Sequence, residues 1–294
     1  MNRRCFLKVA ASAAATAALL PSAHSATSRR NLHKAIMYST IGLKGSVLEK
    51  FRAMKEAGFE GVEPMGGMDR DEVLAAFKAT GLRAASVCCH THWLKPLSAP
   101  DEATRQIGLD GLVLSLRDAQ AYGATSVLLV PGVARNGVSY QQCFERSIVE
   151  IRRAIPVAKE TGVKIAVENV GNNFIMSPEQ AIEYLDAINS PWVGWHFDIG
   201  NAGRVGPAER WIQVIGKRIL RLHIKDYSAK PADPAARADR PKLLEGDTNW
   251  PAVMKALDNA GYTGWAISEQ PGDQAADVKT ARDLAQRMDR IFAV

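Results

Sequence analysis

Ile165-Ala-Val-Glu168, Val193-Gly-Trp-His-Phe-Asp198, Ile219-Leu-Arg-Leu-His223 and Trp265-Ala-Ile-Ser-Glu269 follow one plan. Each stretch runs mostly apolar and then stops on a side chain that binds metal ions. Short apolar runs of this kind are the signature of parallel strands buried on both faces. The four end residues, Glu168, Asp198, His223 and Glu269, make a donor set suited to one divalent ion such as Mn²⁺, Mg²⁺, Co²⁺ or Zn²⁺. A single acid at a strand end says little. Four in succession, at the same end of each strand, point to one shared site.

Working outward from these four, strand and helix alternate along the whole chain. Strand-like runs cover Ala35–Ser39, Gly61–Glu63, Ala84–Cys89, Ser126–Val130, Lys164–Glu168, Val193–Asp198, Ile219–His223 and Trp265–Glu269. The spacing of apolar residues predicts helices over Ser46–Ala57, Asp71–Thr80, Asp101–Tyr122, Tyr140–Thr161, Pro178–Ile188, Pro207–Ile215 and Trp250–Ala260, with a last one near Ala275–Phe292. Gly58, Gly81, Gly123, Gly162 and Gly261 each follow a helical stretch and precede a strand, where a left-handed residue ends a helix. Ser177-Pro178-Glu179-Gln180 reads as a helix start with a capping-box Gln.

Eight such units predict a single (β/α)8 TIM barrel over residues 26–294, rather than an open doubly wound sheet. An open sheet would also want a Gly-rich phosphate loop after its first strand. Ser39-Thr-Ile-Gly-Leu-Lys-Gly45 supplies no GxGxxG. In a barrel, the four residues end the fifth to eighth strands, on the catalytic face. The segment Ser228–Leu244, rich in Ala, Pro, Asp and Arg, reads as a long loop over the mouth.

The first 25 residues read as a targeting segment. Asn2-Arg3-Arg4-Cys5-Phe6-Leu7-Lys8 resembles a twin-arginine export motif, the Ala-rich run Val9 to Leu20 follows, and Ala23-His24-Ser25 predicts cleavage after Ser25. The apolar run is too short and Ala-rich for a secure membrane span, so no stable anchor is expected after cleavage. Export places the mature protein in the periplasm or beyond. Cleavage would remove Arg3, Arg4 and Lys8 from a formal charge of +6, and the remaining basic residues are scattered. That pattern gives no case for nucleic-acid binding. Cys88 and Cys89 are adjacent and Cys143 is alone, so neither a disulfide framework nor a structural zinc is expected.

The mature chain resembles the sugar phosphate isomerase/epimerase family of xylose-isomerase-like TIM barrels. The resemblance rests on Val167-Glu168-Asn169-Val170 with Asn172-Asn173-Phe174, on Phe197-Asp198-Ile199-Gly200-Asn201, and on Leu222-His223-Ile224-Lys225-Asp226. It continues in Glu245-Gly246-Asp247-Thr248-Asn249-Trp250 and Gly264-Trp265-Ala266-Ile267-Ser268-Glu269. It implies one divalent metal on Glu168, Asp198, His223 and Glu269, and proton chemistry by Glu168 and Glu269. Such an enzyme removes a proton beside a ketose carbonyl and stabilises the resulting enediolate charge. One carboxylate takes the proton and the other returns it, to the neighbouring carbon or to the opposite face. Isomerisation and epimerisation both follow from this scheme, and either glutamate can serve as the base.

Candidate substrate-binding residues are His92 beside Trp93, Asn201 where relatives often carry His, Lys225 on the same side of its strand as His223, and Glu63 at the end of the second strand. Gly171 stands where a Trp is common, and Leu244 where a Gly is common. His90 and His196 read as structural. The expected substrate is a small-molecule sugar, free or oxidised rather than phosphorylated, because no phosphate loop is evident. Two further readings keep the same barrel: cleavage of a 3-keto-glycoside by the same metal and bases, and a periplasmic sugar-binding protein without turnover. An apurinic-site endonuclease would need a His-rich three-metal site, and only His90, His92, His196 and His223 lie in the relevant region.

Overall fold

The computed structural model describes residues 30–135, 137–229 and 241–294. The strands are β1 (Leu32–Met37), β2 (Gly61–Glu63), β3 (Arg83–Ala84), β4 (Val87–Cys88), β5 (Ser126–Leu129), β6 (Lys164–Glu168), β7 (Val193–Asp198), β8 (Ile219–Ile224) and β9 (Gly264–Ser268). They pair in the order β3-β2-β1-β9-β8-β7-β6-β5-β4, and every pairing is parallel. The two ends of this order are consecutive pieces of one stretch of chain, and a bridge from Met65, just past β2, to Cys88 in β4 closes the ring. Counted as one broken strand, β3 and β4 complete an eight-stranded ring. The chain is an α/β TIM barrel.

The continuous third strand expected over Ala84–Cys89 is interrupted at Ala85 and Ser86. Arg221, reaching across from β8, donates its Nε–H to Ala85 O at 2.7 Å. Ser86 Oγ donates to Ser126 O at 3.1 Å. Side chains thus take carbonyls that a ladder would otherwise use.

Around the ring lie α1 (Val47–Ala57), α2 (Arg70–Thr80), α3 (Glu102–Tyr122), α4 (Tyr140–Thr161), α5 (Pro178–Ile188), α6 (Ile199–Gly203), α7 (Ala208–Ile215), α8 (Trp250–Ala260) and α9 (Val278–Ala293). All five expected glycines end their helices with positive φ. Ser46 and Ser139 make full capping boxes. At Ser177 the box is open, because Gln180 Oε1 accepts from Met176 N at 2.7 Å instead. The helices bury Phe51, Met54, Leu112, Ile151, Tyr184 and Trp211 against the outer face of the strands. The barrel interior holds a small separate apolar cluster, Ala35, Ala85 and Ile267, with Met37 and Trp265 beside it.

Two of the sequence motifs prove to be halves of one device. Asp226, just after β8, accepts six hydrogen bonds. Its Oδ1 takes the N–H groups of Tyr227 and Thr248 and the Thr248 hydroxyl. Its Oδ2 takes the N–H groups of Leu244 and Gly246 and the Trp250 indole. This single carboxylate folds the Glu245–Trp250 turn back over the strand end. Gly246 is required there, since a Cβ would meet Asp226 Oδ1 at 2.4 Å. The predicted mouth loop between Ser228 and Leu244 lies mostly outside the described residues, as do the export segment and its cleavage site.

Leu244 enters this turn with φ 71°, a region that costs an L side chain about 1 kcal/mol or more. Leu244→Gly should therefore stabilise the fold by about 1 kcal/mol and raise its thermal midpoint by roughly 2–4 °C. An unchanged or lower midpoint in thermal unfolding would show that the leucine's own packing outweighs the backbone strain.

Candidate active site

The four strand-end residues converge. His223 Nδ1 lies 2.9 Å from Glu168 Oε1, 3.2 Å from Glu269 Oε2 and 3.8 Å from Asp198 Oδ2. One donor atom from each of the four lies within 4.8 Å of the others. Ligands about 2.0–2.2 Å from a shared ion sit at most about 4.4 Å apart, so a modest adjustment would seat one divalent ion. The donors are hard or borderline, three carboxylates and an imidazole, with no thiolate among them. Cys88 lies nearby, but burial, then Glu63, raise its thiol well above the usual range, so it stays protonated. The residues present fit the metal that the sequence implies.

Local structure explains each placement. Alternation along β7 and β8 turns Asp198 and His223 into the barrel. Asp198 also caps α6, its Oδ1 accepting from Asn201 N at 2.7 Å, which leaves Oδ2 for the centre. The sequence gives no expectation of the one-turn α6, although Asp is itself a favoured helix N-cap residue. Asn169 ties β6 to β7: its Oδ1 accepts from Asp198 N (3.0 Å) and the Trp195 indole (3.1 Å), and its Nδ2 donates to Asp198 O at 2.9 Å. Glu168 and Asp198 are thereby held at a fixed spacing. The sequence offered Asn169 only as part of a motif, with no role.

The expected substrate-binding residues divide. His92 lines the cavity above the centre. Its Nδ1 accepts from Val130 N at 3.2 Å, so the ring proton sits on Nε2. Burial holds its pKa down to about 3, and the ring is a neutral hydrogen-bond donor throughout the useful pH range. Asn201 also lines the cavity, but its amide is already donated to Asn169 O at 2.9 Å. Lys225 Nζ lies 2.6 Å from Asp198 Oδ2 and 2.5 Å from Glu269 Oε2. Gly200 makes room for it, since a Cβ there would meet Lys225 Cγ at 2.5 Å.

Glu63 is a correction. It was expected on the substrate rim, yet it is 0% exposed, and its Oε2 lies 3.0 Å from His223 Nε2. Its carboxylate meets the nitrogen of His223 opposite the one that faces Glu168 and Glu269, so it lies behind the imidazole rather than in the cavity. His196 is fully buried against His223, with ring centroids 4.2 Å apart.

The cavity has a volume of about 520 Å³. Glu168, His223, Lys225 and Glu269 form its floor, and Trp93, Arg135, Arg204 and Trp211 are among its walls. Gly171 also lines it, and a Cβ there would meet nothing within 4 Å. The missing Trp leaves open space. The wall beside it is strained, with Asn173 at φ 60° and Ile175 at φ 30°.

The electrostatics are uneven. Burial lifts Glu168 to about 7, despite the opposing pull of His223. Burial acts the same way on Glu269, but Lys225 and His223 reverse it and hold that carboxyl well below the usual range. For His223, burial pulls down, and Glu63, Asp198 and Glu168 together hold the imidazolium well above 6.5. In the metal-free protein Glu168 and His223 thus keep protons that the unfolded chain releases. Their stabilisation is lost as pH rises, for Glu168 from its ordinary 4.5 through about 7, and for His223 from 6.5 upward. The contribution of Glu269 is already complete above 4.5 and is lost only on acidification. Below 6.5 this loss is offset by His92 and His196, whose pKa values burial lowers, so that only the unfolded chain takes up their protons. The chelated protein should therefore lose thermal stability from about pH 6.5 to pH 8, while the increment from added Zn²⁺ grows over the same range as the ion replaces the protons of Glu168 and His223. A flat or rising midpoint for the chelated protein, measured by thermal unfolding, would contradict these electrostatics.

Comparison with known proteins agrees with this architecture. An L-ribulose-5-phosphate 3-epimerase of Salmonella paratyphi A is 28% identical over 258 residues, covering 80% of this chain and 87% of that protein. Among solved structures, the IolI protein with a bound zinc atom superposes with a TM-score of 0.75 at 16% identity, covering 89% of this chain and 98% of that one. The 3-keto-D-glucoside 4-epimerase of E. coli gives a TM-score of 0.73 at 18% identity, over 90% of this chain and 100% of that one. Residues 51–291 match the family described as the xylose isomerase-like TIM barrel, and the chain belongs to that family.

Proposed function

We propose that this protein is a divalent-metal-dependent sugar isomerase or epimerase. It would act on a ketose or an oxidised sugar by moving a carbon-bound proton through an enediolate. The observation that carries this reading is the convergence of Glu168, Asp198, His223 and Glu269 on one point, with Glu168, His223 and Glu269 on the floor of one cavity. When bound there, a divalent ion supplies charge stabilisation for a developing oxyanion. Glu168 and Glu269 are the proton-transfer pair, reaching the floor from different strands, β6 and β9. Lys225 keeps Glu269 ionised, and His92 offers its Nε2–H to a substrate oxygen. The epimerase relatives support this class of reaction.

Arg3, Arg4 and the Ala-rich run after them support export by the twin-arginine route and a periplasmic location. Export favours a free or oxidised sugar. Arg135 and Arg204 at the cavity wall nevertheless make a ketose phosphate a necessary member of any substrate panel. A second reading, elimination from a 3-keto-glycoside, draws on the open space at Gly171. A cavity of about 520 Å³ lies within the range that holds ligands larger than one sugar ring.

The test is product analysis of the metal-loaded protein with free ketoses, a ketose phosphate and a 3-keto-glucoside. Isomer or epimer should form from at least one of them. Glu168→Gln and Glu269→Gln should each lower kcat by about 100- to 10,000-fold with substrate still bound. Aglycone release without isomer would replace this reading with elimination. Binding without turnover of any sugar would leave a sugar-binding protein.

A further inference from the structure

Beneath the four-residue centre lies a second polar cluster, formed by Glu63, His196 and His223, with donor atoms within 4.8 Å of one another. All three are sealed from solvent, at 0%, 0% and 1% exposure. Glu63 Oε2 meets His223 Nε2 at 3.0 Å. The other atoms are orphans: Glu63 Oε1 and both ring nitrogens of His196 have no hydrogen-bond partner among the described residues. Buried polar atoms are rarely left in this state, and a trapped water is the ordinary remedy where several of them share one place. An imidazole carries one donor and one acceptor, and a carboxylate oxygen accepts, so one water can join Glu63 Oε1 to one ring nitrogen of His196.

We propose that Glu63 is the positioning residue of the metal centre. It takes the Nε2–H of His223 so that Nδ1 is the nitrogen presented to the ion, and a buried water bridging Glu63 Oε1 and His196 locks the carboxylate in that pose. The inference rests on the metal reading of Glu168, Asp198, His223 and Glu269. Its physical content is a choice of tautomer. His223 has a carboxylate at each ring nitrogen, and without Glu63 no acceptor would hold the proton on Nε2. An acid on the far nitrogen fixes both the ring angle and the proton, and loss of such a partner typically weakens metal binding about 10- to 100-fold. A second ion in place of the water would demand that His223 lose both ring protons, so the lower cluster is assigned to water.

The experiment is titration of the full chain with Zn²⁺ alone, following affinity and stoichiometry, together with ¹⁵N spectra of the histidine side chains. The unsubstituted protein should bind one ion, with Nδ1 of His223 metallated and Nε2 protonated. Glu63→Gln keeps an acceptor and should weaken binding about 10-fold, whereas Glu63→Leu should weaken it about 100-fold and lose the fixed Nε2 proton. His196→Phe, which removes the bridged water, should weaken binding less than Glu63→Leu. Wild-type affinity in a folded Glu63→Leu protein would overturn the proposal. If that variant does not fold, wild-type affinity and an unchanged spectrum in Glu63→Gln would overturn it instead. Two ions per chain would overturn the assignment to water. No Zn²⁺ binding by the unsubstituted protein would defeat the metal reading itself, a failure distinct from the others.

Discussion

A single buried imidazole organises this molecule. His223 has Glu63 below it and Glu168, Glu269 and Asp198 above it. Four carboxylates thus face one histidine and one lysine at the inner end of the cavity, largely buried. Buried charges persist only when compensated and hydrogen-bonded, and an excess of acid this concentrated is balanced by a divalent ion better than by any residue nearby. In the metal-free chain His223 and Lys225 hold the acids together by taking that role in part.

The barrel supplies the constraint that makes such a cluster possible. Parallel strands bring residues far apart in sequence to one rim, and the alternation of side chains decides which enter the interior. The connecting turns then fix each ligand. Asn169 couples the ends of β6 and β7, and Asp198 divides its carboxylate between capping α6 and facing the centre. Gly200 lets Lys225 pass close beneath that helix. Asp226 holds the Glu245–Trp250 turn over the end of β8 by collecting backbone N–H groups, so the acid three residues after the ligand histidine serves the turn rather than the metal site.

Much of this was legible in the sequence because it is local. Apolar runs ending in Glu168, Asp198, His223 and Glu269 marked strands and their catalytic ends, and serine and glycine punctuation marked helix boundaries to within a residue or two. What stayed hidden depends on depth and on contacts across the ring. Nothing in Gly61-Val-Glu63 reveals that the carboxylate will turn to the back of the His223 ring, so Glu63 looked like a rim residue. Nothing near Ala84–Cys89 announces that Arg221, from the far side of the chain, will break the strand. His196 read as structural, although its position two before Asp198 could put it on the same face. Its burial agrees, but its orphaned nitrogens and its packing on His223 emerge only in three dimensions.

Carbon-bound proton transfer is the step proposed for the metal centre, and solvent exchange reads it directly. The metal-loaded protein, incubated in deuterated water with its sugar, should place deuterium on the carbon beside the carbonyl, and chelation should stop the exchange. Conversion of a sugar with full retention of its original carbon-bound hydrogen would contradict the account.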